Sequence, residues 1–385
     1  MSAAAGTHAQ AANRAPAQVP FFDPRRLLAP HDAALQAAFA RVLQHAVFVL
    51  GPEVAAFEQA LASSLGARRA VGVSSGSDAL LATFMALRLP TGAEILCTPF
   101  TFIASASSIV RAGLRPVFVD LSAEGFLPTA EAFERAWGNR TAGILAVHLY
   151  GEPADCDPLA ALCKARGGVL IEDCAQAIGA RDAQGRSVGL SGRAGTLSFF
   201  PAKNLGALGD GGAVFGDDLD LLAAVERLRQ HGRAGRDVFS ALGGNFRLDA
   251  LQAALLQVLL PVLPSWIAAR QRNAATYLEA LRPLHDAERL ILPTATPGHA
   301  WNQFTLRTPR RDALAQALTA AGIGSAVYYT VPLHRCPALA DAMPQAALPH
   351  AERAAAEVLS LPVYPGLRAD EPARVIEVVQ AALAC

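Results

Sequence analysis

The chain has 385 residues, of which 52% are hydrophobic and 17% are charged. This length and composition are typical of a globular protein with one large and one smaller domain. Its 33 basic and 33 acidic side chains cancel, so the charge gives no support for a nucleic-acid partner.

The first 19 residues predict a disordered tail, because they are rich in alanine and lack the apolar segment of a signal peptide. The most apolar later stretch, residues 255–269, contains Pro261 and Pro264 and falls short of a membrane span, so no membrane association is expected. The six cysteines show no paired C-x-x-C spacing. This argues against a metal site or a disulfide framework and favours a reducing cytoplasm.

Residues 33–44 and 54–65 carry apolar side chains at helical spacing, with the turn Gly51-Pro52-Glu53 between them. Residues 70–81 (AVGVSSGSDALL) then predict a short strand, a turn of small residues and a helix. Backbone N–H groups at a helix N-terminus can bind an anion, and Gly76 allows the backbone to approach closely. For this motif alone, an ordinary helix N-cap is the favoured interpretation.

The next loop contains Phe102, for which the residue type alone favours a core position. Residues 115–120 and 143–151 are two further apolar strands that alternate with helical stretches. This alternation predicts a mostly parallel sheet with crossover helices. His148 is a candidate base at the end of one strand, although a core or cleft-lining position is favoured.

Residues 168–176 (GVLIEDCAQ) predict a buried parallel strand that ends at Asp173. Ligands of open α/β sheets bind at the carboxyl ends of the strands. Thirty residues later, Lys203 lies in the stretch SFFPAKNLGALGDGG, whose apolar flanks predict partial burial. A lysine in such a setting has a depressed pKa and can attack a carbonyl. The pair suits pyridoxal phosphate, with Lys203 bound covalently and Asp173 keeping the ring nitrogen protonated.

These motifs, in this order, resemble the DegT/StrS family of PLP-dependent sugar aminotransferases. The resemblance extends from about residue 20 to the C-terminus. It implies the α/β structure called PLP fold type I, with a large domain over residues 20–262 that has a mostly parallel central sheet flanked by helices. A smaller α+β domain follows over residues 263–385. The resemblance further implies a cytoplasmic homodimer with shared active sites.

The resemblance also implies a role for each motif. Lys203 is the catalytic residue, Ser198 binds the cofactor phosphate, Gln176 lies against the cofactor ring, and the aromatic ring of Phe102 covers its face. The Gly51 turn lies near the sugar nucleotide, although a helix that starts with proline explains that turn equally well. The implied cofactor-binding residues are Gly76, Ser77, Asp78, Phe102, Asp173, Gln176, Ser198, Lys203 and Asn245.

Two later segments resemble the family's motifs with substitutions. Residues 243–254 (GGNFRLDALQAA) follow the pattern Gly-x-Asn-x-Arg-x-Asp-x-x-Gln-Ala-Ala, in which Asn245 reaches the phosphate of the partner subunit and Arg247 the nucleotide diphosphate. Phe246 replaces a small residue. Residues 328–334 follow His-Tyr-Pro-x-Pro-Leu-His, with Tyr328 in place of the histidine and Thr330 in place of the first proline. The resemblance implies that Tyr328 and His334 contact the substrate.

The implied function is transfer of an amino group from an amino acid, expected to be L-glutamate, to a nucleotide-linked 3-keto- or 4-keto-sugar. Such a reaction serves deoxyamino-sugar biosynthesis, and the sequence leaves open whether the pathway leads to lipopolysaccharide, a glycan or an antibiotic. One alternative is a sugar dehydratase of the same family, which carries histidine where this chain has Lys203. Another is a non-catalytic regulatory or binding protein on the same fold. The intact lysine and Asp173 favour the aminotransferase, while the sugar, its carrier and the aminated carbon stay open.

Overall fold

A seven-stranded sheet forms the centre of the protein in the computed structural model, which describes residues 18–342 and 347–384. The strands lie in the order β1-β7-β6-β5-β4-β2-β3, and β7 runs antiparallel to the other six. Nearly every residue of β4 to β7 is buried, as expected for a parallel sheet with helices on both faces. The strands are β1 Arg69–Val73, β2 Glu94–Cys97, β3 Arg115–Phe118, β4 Thr141–Val147, β5 Val169–Asp173, β6 Ala194–Ser198 and β7 Gly212–Gly216.

Helices connect the strands and cover both faces of the sheet. The third of them begins at Pro52 after Gly51, whose φ of 83° suits glycine, so the predicted helix start at this turn is confirmed. A short exposed hairpin, β8 Arg233–Gly235 and β9 Val238–Phe239, follows the last crossover helix. The helices are α1 Pro24–Leu28, α2 Asp32–His45, α3 Pro52–Leu65, α4 Gly76–Leu87, α5 Ala104–Arg111, α6 Ala130–Ala136, α7 Cys156–Arg166, α8 Leu219–Leu228 and α9 Ala250–Leu259.

A nearly continuous helical run joins the two halves of the chain. Helix α9 passes through a 3₁₀ turn, Leu260–Val262, into α10, Leu263–Ala280, so the predicted boundary at residues 262 and 263 falls within it. Both prolines occupy first-turn positions, where a missing N–H is tolerated, and they do not interrupt the run. By length and composition, Ala250–Ala280 could therefore cross a membrane, contrary to expectation, but 56% of its most apolar window is buried inside the protein. Packing against the core accounts for its composition.

The C-terminal part has the predicted α+β character. Strands β10 Phe304–Arg307 and β11 Val358–Leu361 pair antiparallel, and helices pack around them with their own apolar core. A buried ion pair, Arg307 with Glu357, joins the end of β10 to the start of β11. The helices are α11 Arg282–Asp286, α12 Arg311–Ala320, α13 Pro349–Glu357 and α14 Glu371–Leu383.

The packing crosses the predicted domain limits at both ends of the chain. The predicted disordered tail lies outside the described residues as far as residue 17, but Val19 is buried and bridges Ile323 in the smaller core. Conversely, Ala351 and Ala354 of α13 pack into the core around the large sheet.

Candidate functional site

A cleft of about 640 Å³ lies at the carboxyl edge of the large sheet. It forms where β4, β5 and β6 end and α4 begins, and the segment 327–329 closes it from the C-terminal side. The structure thus brings together most of the predicted site residues. Those that line the cleft are Gly76, Ser77, Phe102, Asp173, Gln176, Ser198, Lys203 and Tyr328.

Lys203 lies in the loop after β6 and is partly buried. Its backbone N–H donates to Phe200 O at 2.8 Å, and the buried neighbour Asn204 anchors the loop by donating to Ala300 O at 3.1 Å. Desolvation lowers the pKa of Lys203 to about 8, although the negative charge of Asp173 opposes that shift. A substantial fraction of the amine is therefore neutral at mildly alkaline pH.

Asp173 ends β5 and presents a buried carboxylate to the same cleft. Its Oδ2 accepts a hydrogen bond from Ser105 Oγ at 2.8 Å, and its Oδ1 accepts one from Ala175 N–H at 3.1 Å. Ser105 lies in the first turn of α5 and was not predicted as a site residue. No local sequence signal marks it, because its partner Asp173 lies 68 residues away in the chain.

Glu172, the preceding residue, is buried and points away from this arrangement. It accepts hydrogen bonds from the backbone N–H groups of Gly189 (2.7 Å), Ser191 (2.8 Å) and Gly192 (2.7 Å). Burial alone would raise the pKa of Glu172, but the hydrogen bond from His148 and these amides hold it below its ordinary value. Its role in the fold is to fix the loop that follows β5.

His148 lines the cleft but is fully buried and hydrogen-bonded at both ring nitrogens. Its Nδ1 accepts from Ala154 N–H at 2.9 Å, so Nε2 carries the proton and donates to Glu172 at 3.1 Å. His148 is therefore a cleft-lining residue and not a free base. Cys156 lies beside this pair, within 4.8 Å, and burial raises the pKa of its thiol. The partners already present leave this cluster few lone pairs for a metal ion.

The N-terminus of α4 forms a cradle against the end of β6. Ser75 caps the helix by accepting from Asp78 N–H at 3.1 Å, which leaves the first-turn N–H groups of Gly76 and Ser77 towards the cleft. A Cβ at Gly76 would lie 2.7 Å from Ser198 Cβ, so only glycine allows this approach. Unpaired N–H groups, a hydroxyl and a helix dipole together suit a phosphate group.

Aromatic side chains form the opposite wall. Phe102 is 55% exposed, so the core position favoured from its residue type is wrong, and its ring centroid lies 6.5 Å from that of Tyr329. Tyr329 accepts a hydrogen bond from Gln176 Nε2 at 3.2 Å, while Gln176 Oε1 accepts from Tyr150 N–H at 2.6 Å. Burial and the charge of Asp173 raise the pKa of Tyr329. Of the two tyrosines in this wall, Tyr328 is a predicted site residue and Tyr329 is not.

Four predicted residues do not line the cleft. Asp78, Asn245 and Arg247 line an adjoining depression of about 620 Å³, where Arg247 Nε donates to Asn245 Oδ1 at 2.7 Å. The carboxylate of Asp78 is held by the hydroxyl of Ser74 at 2.6 Å. His334 is buried elsewhere, and its Nε2 lies 2.9 Å from Glu352 Oε1.

The model of the DegT/DnrJ/EryC1/StrS aminotransferase family matches residues 30–380. The chain belongs to this family.

Three similar proteins of the DegT/DnrJ/EryC1/StrS family cover nearly the whole chain. A pleiotropic regulatory protein of Geobacillus stearothermophilus is 41% identical over 87% of this chain and 91% of its own length. The UDP-N-acetyl-3-dehydro-α-D-glucosamine 3-aminotransferase of Acidithiobacillus ferrooxidans is 40% identical, over 95% and 98%. The dTDP-3-amino-3,4,6-trideoxy-α-D-glucose transaminase of Streptomyces venezuelae is also 40% identical, over 94% and 96%.

Two solved structures share the fold. S. venezuelae DesV, solved in complex with a ketimine intermediate, has a TM-score of 0.91 and 39% identity, and the match covers 95% of this chain and 98% of DesV. NtdA from Bacillus subtilis, solved with its bound cofactor PMP, has a TM-score of 0.90 and 28% identity, over 97% and 87%. PLP fold type I, expected from the sequence, is confirmed.

Pyridoxal phosphate is the cofactor of this family, and the residues of the cleft fit it. The cradle at Gly76 and Ser198 would be filled by any added side chain, which suits a group that comes as close as a phosphate. A buried carboxylate and an amine of lowered pKa share the cleft with an exposed aromatic ring. A flat cationic heterocycle with an aldehyde and a phosphate can use all of these donors and acceptors.

Proposed function

We propose that this protein transfers an amino group from an amino acid, L-glutamate being the expected donor, to a nucleotide-linked keto-sugar. The observation that carries the proposal is that Lys203 lies in one cleft with the buried carboxylate of Asp173. The names of the two similar transaminases both specify a 3-amino or 3-dehydro sugar. We therefore place the reacting keto group at C3 rather than C4.

Each wall of the cleft would hold a different part of the cofactor. The N–H groups of Gly76 and Ser77 and the Ser198 hydroxyl bind the phosphate, with the dipole of α4 favouring its charge. Phe102 and Gln176 would hold the cofactor ring from the sides of the cleft. When bound, pyridoxal phosphate supplies an electron sink for the carbon that bears the transferred amino group.

Asp173 and Lys203 have the roles that involve charge and proton transfer. The Asp173 carboxylate holds the ring nitrogen in its protonated form. Lys203 would hold the cofactor through Nζ, and the amino-acid donor would free this amine for proton transfer. Its Nζ then removes the proton from the donor's Cα in the first half-reaction and returns a proton to the sugar carbon in the second. Burial favours this exchange because it lowers the pKa of Nζ towards the working pH.

The depression with Asn245 and Arg247 is assigned to the partner subunit's cleft. Asn245 is exposed and Arg247 is partly exposed, and the depression shares Ser75 and Asp210 with the cleft of the same chain. In a twofold homodimer, Asn245 would supply an amide to the other subunit's phosphate and Arg247 a charge to the nucleotide diphosphate. We place this dimer in the cytoplasm, in a deoxyamino-sugar pathway of the kind that feeds lipopolysaccharide.

The test is transfer of isotope from ¹⁵N-labelled L-glutamate to a panel of UDP- and dTDP-linked 3-keto- and 4-keto-sugars, followed by mass spectrometry. We expect ¹⁵N in a 3-amino-sugar nucleotide, and none with Lys203→Ala as the matched control. Loss of a hydroxyl group without gain of nitrogen would indicate a dehydratase instead. Cofactor binding without turnover of any sugar or glutamate would favour a regulatory role, the activity after which the G. stearothermophilus protein is named.

A further inference from the structure

Three buried side chains in the wall of the cleft form a hydrogen-bonded chain that ends at Asp173. Ser105 Oγ lies 2.8 Å from Asp173 Oδ2, and Thr101 Oγ1 lies 3.2 Å from Ser105 Oγ. The exposed fractions of these residues are 1% for Ser105 and 5% for each of the other two. All three belong to the wall of the cleft, and neither hydroxyl has a role in the function proposed above.

Chemistry fixes the direction of these hydrogen bonds. An ionised carboxylate can only accept, so the single proton of the Ser105 hydroxyl points to Asp173. Ser105 Oγ must then be the acceptor for Thr101, whose own proton points to Ser105. Thr101 therefore donates to Ser105, and Ser105 donates to one oxygen of Asp173. Ser105 lies in the first turn of α5, the positive end of that helix, which also favours a negative charge nearby.

From the described residues, the second oxygen of Asp173 accepts one longer bond, from Ala175 N–H at 3.1 Å. A carboxylate with both oxygens anchored cannot rotate freely about its Cβ–Cγ bond. Since each carboxylate oxygen has two lone pairs, a lone pair stays available for a partner in the cleft. The geometry therefore describes an acceptor that is oriented before any ligand arrives.

We propose that Ser105, supported by Thr101, is a positioning residue that orients the Asp173 carboxylate towards the cofactor ring nitrogen. This inference rests on the proposed function, in which Asp173 contacts that nitrogen. Without the Ser105 hydroxyl, the Asp173 carboxylate would become fixed only when the cofactor binds. The entropy lost in fixing it would lower the affinity for the cofactor.

The experiment measures equilibrium binding of two ligands to the full-length apoprotein by calorimetry. One is pyridoxal phosphate, and the other is its analogue with carbon in place of the ring nitrogen. We expect Ser105→Ala to weaken binding of pyridoxal phosphate about tenfold, the value of one hydrogen bond to a charged group, and to leave binding of the analogue within about twofold. A hydroxyl acting through Asp173 must discriminate between these ligands, whereas one that only fills space cannot.

Three further variants make the test specific. Ser105→Thr keeps a hydroxyl and should restore most of the affinity, and Thr101→Val should weaken pyridoxal phosphate binding less than Ser105→Ala does. In an Asp173→Asn background, Ser105→Ala should have no further effect, because the two residues act as one unit. Thermal unfolding of each apoprotein checks that it is folded. If Ser105→Ala does not fold, Thr101→Val is used instead to compare binding of pyridoxal phosphate with binding of the analogue.

Equal weakening of both ligands by Ser105→Ala, or no weakening of either, would overturn the positioning role while leaving the proposed function intact. If the unaltered chain fails to bind pyridoxal phosphate at all, the proposed function fails and the inference fails with it.

Discussion

The cleft and the depression beside it differ in how far one chain organises its polar groups. In the cleft, the carboxylate of Asp173 is buried and accepts two hydrogen bonds from its own chain. In the depression, Asn245 is exposed, and Arg247 reaches only as far as its side-chain oxygen. One chain organises the cleft, whereas we propose that the amide of Asn245 and the charge of Arg247 serve the cleft of a partner subunit. The cleft and the depression, although they adjoin, thus differ in how many of their polar groups are already held by hydrogen bonds within the chain.

The largest effect should come from the centre of the cleft. Lys203→Ala should lower transamination by about a thousandfold or more, because a covalent catalyst and proton carrier is lost. Lys203→Arg should fail as well, since a guanidinium stays protonated and cannot bind the aldehyde. Single-turnover kinetics with glutamate measures both. Turnover of Lys203→Ala within about tenfold of the parent enzyme would contradict the role assigned to this lysine.

Adjacent residues of β5 should separate activity from stability. Asp173→Asn should cost about a hundredfold in turnover, because an amide cannot keep the ring nitrogen positively charged, with little change in the free energy of unfolding. Glu172→Gln should show the opposite pattern and lower that free energy by about 3 kcal/mol, since it disturbs a buried acceptor of several hydrogen bonds. Steady-state kinetics and urea unfolding of both variants test this. An unchanged rate in Asp173→Asn would make Asp173 a structural strand end.

Changes in the depression should lower activity less than changes in the cleft, and they should affect the active site of the partner subunit. Arg247→Ala should lower kcat/KM by about tenfold to a hundredfold through loss of a charged contact to the diphosphate. Mixing inactive Lys203→Ala chains with Arg247→Ala chains should restore activity, because one of the two sites in the mixed dimer is then intact. If mixed dimers form and no activity returns, Arg247 serves the cleft of its own chain.

The smallest effect is a shift in pH dependence. Because only the neutral amine reacts, the rate at which the apoprotein captures pyridoxal phosphate should rise with pH and level off above about 8, the lowered pKa of Lys203. Asp173→Asn should move the midpoint to lower pH, since the carboxylate favours the charged ammonium and its loss lowers the pKa of Lys203 further. Stopped-flow absorbance follows the capture, with Asp210→Asn, at the rim of the same cleft, as the control that leaves the midpoint in place. A midpoint that does not move in Asp173→Asn would show that the two groups do not interact.

The strand ends and the lysine loop could be predicted from sequence because their signals are local. An apolar β-branched run that stops at Asp173, and a lysine between apolar flanks, each lie within about ten residues. Ser105 and Tyr329 could not be predicted in this way. Ser105 meets Asp173 across 68 residues, and Tyr329 meets Gln176 across 153, so only the folded topology brings these pairs together.

Residue type also misled in specific places. Phe102 would be assigned to the core by its hydrophobicity, yet a cleft needs apolar walls, and more than half of this residue is exposed. Pro261 and Pro264 suggested a broken segment, yet first-turn positions let helices continue through them. The burial of His334 against Glu352 depends on the packing of α13 across the domain limit, and no local pattern encodes it.

The most direct test of the central claim is reduction of the purified protein with borohydride after incubation with pyridoxal phosphate. We predict a visible absorption band that disappears on reduction, with the cofactor then fixed to the peptide that contains Lys203. The chain contains one other lysine, Lys164 in α7, which provides an internal control. A modified Lys164 with an unmodified Lys203, or no visible band, would contradict the assignment of this cleft as the cofactor site.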